Sequence, residues 1–238
     1  MMEYFIPEDS ESSDSVHHKS IRQLAVEPLD MLDDVEFTKE EMLVVLEKFD
    51  PSKTLGEDGL NSDILLRIFK RFPTFFTEIY NECLRKGYFP KQWKRSIIIP
   101  IVKPGKEGST EITKYRPISL LNVGKKVHEK LLIDRINHHV FSNSLLNENQ
   151  YGFFPQKSTI DAALAAKGFI WETLQKKNCV RMVSLDVRGA FDAAWRPSIP
   201  SNLRNLHFPK NMYILSLNYF SDRVATHYAN TTHTVRRT

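Results

Sequence analysis

Asp186 and Phe191 lie five residues apart within residues 182–195, Met-Val-Ser-Leu-Asp-Val-Arg-Gly-Ala-Phe-Asp-Ala-Ala-Trp, and their types and spacing suit a cation-assisted reaction. A bare carboxylate holds a hard cation through oxygen, and the Val187 carbonyl one residue on offers a second oxygen. Three elements must position these groups: a strand through Val183 and Leu185 ending at Asp186, a turn at Gly189, and a short helix over residues 190–195. Alone, the pattern reads more readily as a strand end followed by a core aromatic. The motifs upstream reverse that preference.

The chain has 238 residues, room for one large domain or two small ones with a real core. Its apolar fraction of 41% and charged fraction of 26% are those of a soluble globular protein. It has no run of about 18 apolar residues, so no membrane-spanning helix is expected. Its start lacks the basic region and apolar stretch of a secretory signal, so an intracellular protein is expected. Cys83 and Cys179 stand far apart without a C-x-x-C partner, which argues against zinc ligation or a disulfide framework. The net charge of +4 conceals an asymmetry: residues 1–36 carry ten acids against Lys19 and Arg22, a net of −8, and the remainder is +12. A basic body suits a polyanionic partner, because each phosphate contact releases counterions.

The serine-rich acidic head, residues 1–36, lacks apolar periodicity and is expected to have no fold. From residue 37 onward, regular structure is expected. Thr38 and Glu41 have capping-box spacing before a helix ended by Asp50-Pro51. Residues 53–60, with Gly56 and Gly59, form a turn-rich loop. Asn61 or Ser62 caps a helix broken at Pro73, and a second helix over residues 74–86 closes at Gly87. Residues 95–102 read as a strand interrupted or edged by Pro100, and residues 115–121 resume extended structure after a polar loop. Helices follow at residues 123–140, from Ser158 to about Gln175, and after Pro209; a hairpin is expected over 224–235. No carboxylate or cysteine completes a metal set around His128, His138 and His139.

In order, the pieces at residues 53–60, Trp93, 98–106, 115–121, 124–131, 150–159 and 183–195 resemble the reverse transcriptases of non-LTR (LINE-type) retrotransposons, and they cover nearly everything from residue 37 onward. The resemblance implies an α+β fold: fingers over about 37–178 and the start of the palm over about 179–238 of a right-hand polymerase, with an incomplete sheet. It implies an enzyme copying an RNA template from a DNA primer with deoxynucleoside triphosphates and two Mg2+ ions, acting in the nucleus. Asp186, with the Val187 carbonyl, matches the family's metal ligand. Phe191 matches the ring that packs under the nucleotide sugar and excludes a 2′-hydroxyl. Lys103 and Arg116 match the fingers cations that grip the triphosphate, and Gln150 opens a motif near template and nucleotide.

The sequence also departs from that pattern. Gly152-Phe153-Phe154-Pro155-Gln156 has a ring, Phe154, where relatives carry an arginine. Thr54, Leu55 and Glu57 replace the usual Ala, Pro and Pro around the Gly-x-Asp-Gly loop, and Pro200 falls where relatives continue a helix. The family's later Ala-Asp-Asp carboxylates do not occur after Asp186, and Leu32-Asp33-Asp34 in the acidic head only mimics them. These 238 residues alone are therefore expected to be inactive. The alternative is a non-catalytic RNA- or DNA-binding remnant of a retroelement.

Overall fold

Helix starts follow the capping chemistry of the sequence in the computed structural model, which describes residues 5, 11–26, 29–187, 190, 194–229 and 232–237. The Thr38 hydroxyl accepts from Glu41 N at 3.1 Å while the Glu41 carboxylate accepts from Thr38 N at 2.8 Å. Asn61 accepts from Asp63 N at 2.7 Å, and Ser158 with Asp161 forms a second capping box. The elements are α1 (Val16–Val26), α2 (Lys39–Glu47), α3 (Ser62–Arg71), α4 (Pro73–Lys86), β1 (Arg95–Val102), β2 (Tyr115–Leu120), α5 (Val123–Ser142), α6 (Thr159–Gln175), α7 (Ser198–Asn205), α8 (Lys210–Phe220), β3 (Val224–Ala229) and β4 (Thr232–Arg237). The class is α+β. Contacts divide the chain into two units, residues 1–136 with 191–238, and residues 137–190, so the division falls inside α5.

The sheet has the order β2-β1-β3-β4, with β1 antiparallel to β2 and parallel to β3. Pro100 does not interrupt β1: it stands directly opposite Pro117. Two prolines cannot exchange N–H···O bonds, so they must occupy a position where neither N–H points at the partner strand. The place where an N–H is missing on β1 faces the β3 side, and the β3 ladder covers only Arg95, Ser96 and Ile97. His227 extends that junction through Nδ1, 3.0 Å from the Ile98 carbonyl. The expected hairpin after residue 224 is β3 and β4.

Two expectations fail here. Residues 1–36 carry α1, which packs on α7: Tyr213 donates to the Ala25 carbonyl at 2.6 Å and Arg204 to the Leu24 carbonyl at 3.0 Å. Asn211 brackets Asp34 through both backbone groups, Asn81 does the same to Phe37, and Arg135 bonds Asp34 and Glu41, each at 2.8 Å. Counting the head's acids ignored the cations and amides that other helices bring to them. The second failure is the strand expected to end at Asp186. Residues 178–187 have no regular structure, and Val183, Leu185 and Val187 are exposed. Strand propensity needs a ladder partner, and the described elements of the second unit are helical, while β3 occupies the second edge of β1. The helix expected over 190–195 is absent at the described residues Ala190, Ala194 and Trp195; the next helix begins at Ser198.

The core of the first unit joins Met42, Leu46, Leu84, Phe89, Val127, Phe208 and Leu215. At its centre the His128 ring is caged by Phe89, stacked at 5.1 Å, with Tyr80 at 5.4 Å, Trp93 at 5.5 Å and Phe37 at 6.4 Å edge-on. Neither ring nitrogen has a hydrogen-bond partner, and burial pushes the imidazole down to about 3. Below about pH 6.5 the unfolded chain therefore binds a proton that the folded chain refuses. Stability from this residue is present above that pH and is lost on acidification towards about 3, by up to about 1.4 kcal/mol per pH unit. His128→Phe is expected to flatten the fall in urea-unfolding stability between about pH 6 and about pH 4; parallel pH profiles for the two proteins contradict this.

Candidate functional site

In the first unit the site is built on one face of the β1–β2 pair. Strand alternation sets Ile97, Ile99 and Ile101 on the same face as Leu120, Ile118 and Arg116 through the pairs Ile97↔Leu120, Ile99↔Ile118 and Ile101↔Arg116. The Lys103 amide donates to the Lys114 carbonyl at 2.8 Å, carrying the backbone pairing one step further, so Lys103 joins that face, while Lys114 ends the 3-10 turn Ile112–Lys114 that leads into β2. Ile99, Ile101 and Ile118 are exposed, whereas Ile98 on the opposite face is buried.

The result is an apolar strip that ends in three cations. Arg116 is exposed and has no hydrogen-bond or ion-pair partner among the described residues. The Lys103 ammonium donates to the Thr113 carbonyl at 2.7 Å, which holds it over the turn, and Lys114 stands 3.5 Å from Glu111. A guanidinium fork and a lysine ammonium within one hairpin are equipped to bind phosphate oxygens. Sequence reasoning missed Lys114, which ends the 3-10 turn Ile112–Lys114 two residues before Arg116.

At the other end of the strip the glycine loop closes down. Arg95 binds Glu57 through Nε and Nη2, each at 3.1 Å, so the residue standing where relatives carry a proline has an ionic partner. Asp58 N donates to Asn122 Oδ1 at 3.3 Å. A Cβ at Gly56 would meet Asn122 N and the Leu121 carbonyl carbon at 2.5 Å, so only glycine allows this approach of loop to backbone. Between loop and strand lies a cleft of about 320 Å³, lined by Phe49, Leu55, Leu60, Ile118 and Leu120 with Lys53 and Lys126.

The second unit holds the other sequence-predicted residues. Gln150 turns inward on its own loop, donating from Nε2 to the Gly152 carbonyl at 2.9 Å. Phe154, the ring standing where relatives have an arginine, packs 5.0 Å from Phe141. Lys157 lies over it at 4.4 Å and over Tyr151 at 5.0 Å, so a cation stands near the altered position after all. Asp186 and Val187 are exposed on the irregular stretch. Phe191, with Arg188 and Asp192, lies outside the described residues. Lys103 and Arg116 share a hairpin; Gln150, Asp186 and Val187 belong to the other unit. Asp34, of the acidic pair in the head, is occupied by Arg135.

The family profile described as "Reverse transcriptase (RNA-dependent DNA polymerase)" matches residues 101–237, more than half of the chain. This chain belongs to the reverse transcriptase family. It is 33% identical over 185 residues, 77% of its length, to a probable RNA-directed DNA polymerase from transposon BS of Drosophila melanogaster. It is 31% identical over 186 residues, 78% of its length, to the RNA-directed DNA polymerase from mobile element jockey of the same fly. Similarity extends to the Pol polyprotein of the type-1 retrotransposable element R1 of Bradysia coprophila, 27% identical over 192 residues, covering 78% of this chain and 18% of the polyprotein. The chain spans about a fifth of the length of the first two relatives, 20% of each. The recognition drawn from ordered motifs, a reverse transcriptase of the non-LTR retrotransposon type, therefore holds.

For the divalent metal that reverse transcriptases use, the described residues supply an insufficient donor set. Magnesium needs several oxygen ligands in near-octahedral order, and no group of three His, Cys, Asp or Glu side chains able to hold a metal occurs among the described residues. Asp186 alone does not make a two-ion centre. Gly56→Ala is expected to lower stability by roughly 1–3 kcal/mol in chemical denaturation, because rigid backbone opposes the new methyl group; an unchanged midpoint contradicts the tight approach.

Proposed function

We propose that this chain is the nucleotide-gripping part of a retrotransposon RNA-directed DNA polymerase: its fingers and the first portion of its palm. The observation that carries the reading is the β1–β2 pairing, with Lys103 and Arg116 on one face at the turn end of the hairpin and Lys114 beside them, in a chain of this family. In this reading Arg116 binds two oxygens of an incoming triphosphate as a fork, and Lys103 supplies a point charge beside it. The exposed apolar strip of Ile99, Ile101 and Ile118 beside them offers a surface for the apolar part of a nucleotide.

The resemblance to the family assigns Asp186 and the Val187 carbonyl as metal-side oxygens, Phe191 as the ring that packs under the nucleotide sugar, and Gln150 to a motif for template and nucleotide. A single carboxylate leaves the transfer step without its ion pair. These 238 residues therefore bind RNA template, DNA primer and triphosphate weakly but do not join them. A basic surface that binds nucleic acid without catalysis fits the same cations, and one experiment separates the two readings.

With an RNA–DNA hybrid as ligand, Lys103→Ala and Arg116→Ala are each expected to lower the slope of log affinity against log salt by about 1. The unaltered chain is expected to extend no primer in magnesium and triphosphates. Triphosphate competing for the hybrid-binding hairpin supports a polymerase part, and its failure to compete supports nucleic-acid binding alone. Unchanged slopes in both variants contradict the hairpin site, and extension abolished by Asp186→Ala contradicts the expected inactivity.

A further inference from the structure

Helix α5 buries two basic side chains one turn apart, Lys125 and His128, each 0% exposed. Among the described residues, neither the Lys125 ammonium nor either His128 ring nitrogen has a hydrogen-bond partner. The Glu129 carboxylate stands 3.8 Å from the Lys125 ammonium, beyond hydrogen-bond reach, and its Oε1 already accepts the Tyr219 hydroxyl of α8 at 2.6 Å. Arg223, which leads into β3, lies with its guanidinium carbon 4.4 Å from the centre of the Tyr219 ring, and its charge opposes a second cation at Lys125. Lys125 therefore faces one shared carboxylate, one hydroxyl and one competing cation. His128 faces the rings of Phe37, Tyr80, Phe89 and Trp93. Tyr80 is the titratable one among them, and its hydroxyl donates to the Gly124 carbonyl at 3.1 Å.

We propose that α5 is a proton-operated latch, seated against α4 and α8 while His128 is neutral and released, short of complete unfolding, when His128 gains a proton; Lys125 sets how firmly it is seated at neutral pH. A buried polar group without its hydrogen bonds is destabilising, and an apolar side chain of similar volume in its place is neutral or stabilising. Both costs fall on the same helix. An opening that frees α5 alone relieves them in full and leaves the ladders of β1 with β2 and β3 paired.

The two groups act in separate pH windows. Burial pushes Lys125 down to about 8, with Arg223 adding to the shift and Glu129 opposing it. The seat therefore weakens as pH falls from about 10.5 to about 8, and this loss is complete at neutral pH. Burial alone pushes His128 down to about 3, so below about pH 6.5 a freed α5 takes up a proton that the seated helix refuses. Between those windows the seat is expected to be level. Val123 and Lys126 of the same helix line the cleft, and Lys126 donates to the Thr54 carbonyl at 3.3 Å, so release of α5 also loosens the glycine loop. The latch belongs to the fold and does not rest on the polymerase reading.

The test is hydrogen–deuterium exchange of the full 238-residue chain, with opening constants of the α5 amides corrected for intrinsic exchange and set against the urea-unfolding constant at the same pH. At about pH 5 the α5 opening constant is expected to exceed the unfolding constant by about tenfold or more, and to rise by about tenfold per pH unit between about pH 6 and about pH 4. His128→Phe is expected to abolish that rise. Lys125→Met keeps a buried stem without the charge; it is expected to lower α5 opening at about pH 7 by about tenfold or more and to leave the acid rise in place. The two substitutions act independently, so each tests the latch by itself. Equal opening and unfolding constants, an acid rise that survives His128→Phe, or unchanged opening in Lys125→Met overturns the proposal.

Discussion

The pairing of β1 with β2 fixes where every candidate phosphate-binding group of the first unit stands. Its register is set by two prolines that can share a position only if neither owes the other an N–H, so Pro100 faces Pro117 and the remaining pairs follow. From that single constraint come the apolar strip of Ile99, Ile101 and Ile118, the cations at the turn, and the cleft wall formed by Ile118 and Leu120. Slipping the ladder by one residue would turn Arg116 to the face that buries Ile98. The glycine loop depends on the same hairpin, because Arg95 on β1 holds Glu57, and the end of β2 leads into the Leu121–Asn122 backbone that Gly56 approaches.

Much of this was legible in the sequence because it rests on local chemistry. Capping residues at Thr38, Asn61 and Ser158 mark helix starts, Gly87 with φ of 57° marks a helix end, and the alternating run before Lys103 marks a strand. The family was legible from the order of motifs, none of which is decisive alone. What escaped was non-local. The head is held by Asn211, Arg135 and Tyr213, all of which lie far along the chain. Residues 183–187 have strand propensity, and the described structure offers them no ladder. Propensity describes what a segment will do once given a partner; it does not supply the partner.

The departures from the family pattern differ in their consequences. Glu57 stands in place of a proline and gains Arg95. Phe154, expected from the resemblance to replace an arginine, sits 4.4 Å beneath the Lys157 ammonium, so a cation stands beside the ring. Pro200 lies in the first turn of α7, where its missing N–H costs little, and its side chain is buried. Glu57 and Phe154 alter the charge near the surface, whereas Pro200 is accommodated within α7.

The turn end of the β1–β2 hairpin is the proposed seat of a triphosphate. Hydrogen–deuterium exchange of the chain with and without a deoxynucleoside triphosphate tests it most directly, because the backbone amides report on the hairpin without altering its cations. Protection strongest over residues 101–118 is the predicted result. Unchanged exchange across that hairpin at saturating triphosphate, or protection centred elsewhere, contradicts the account.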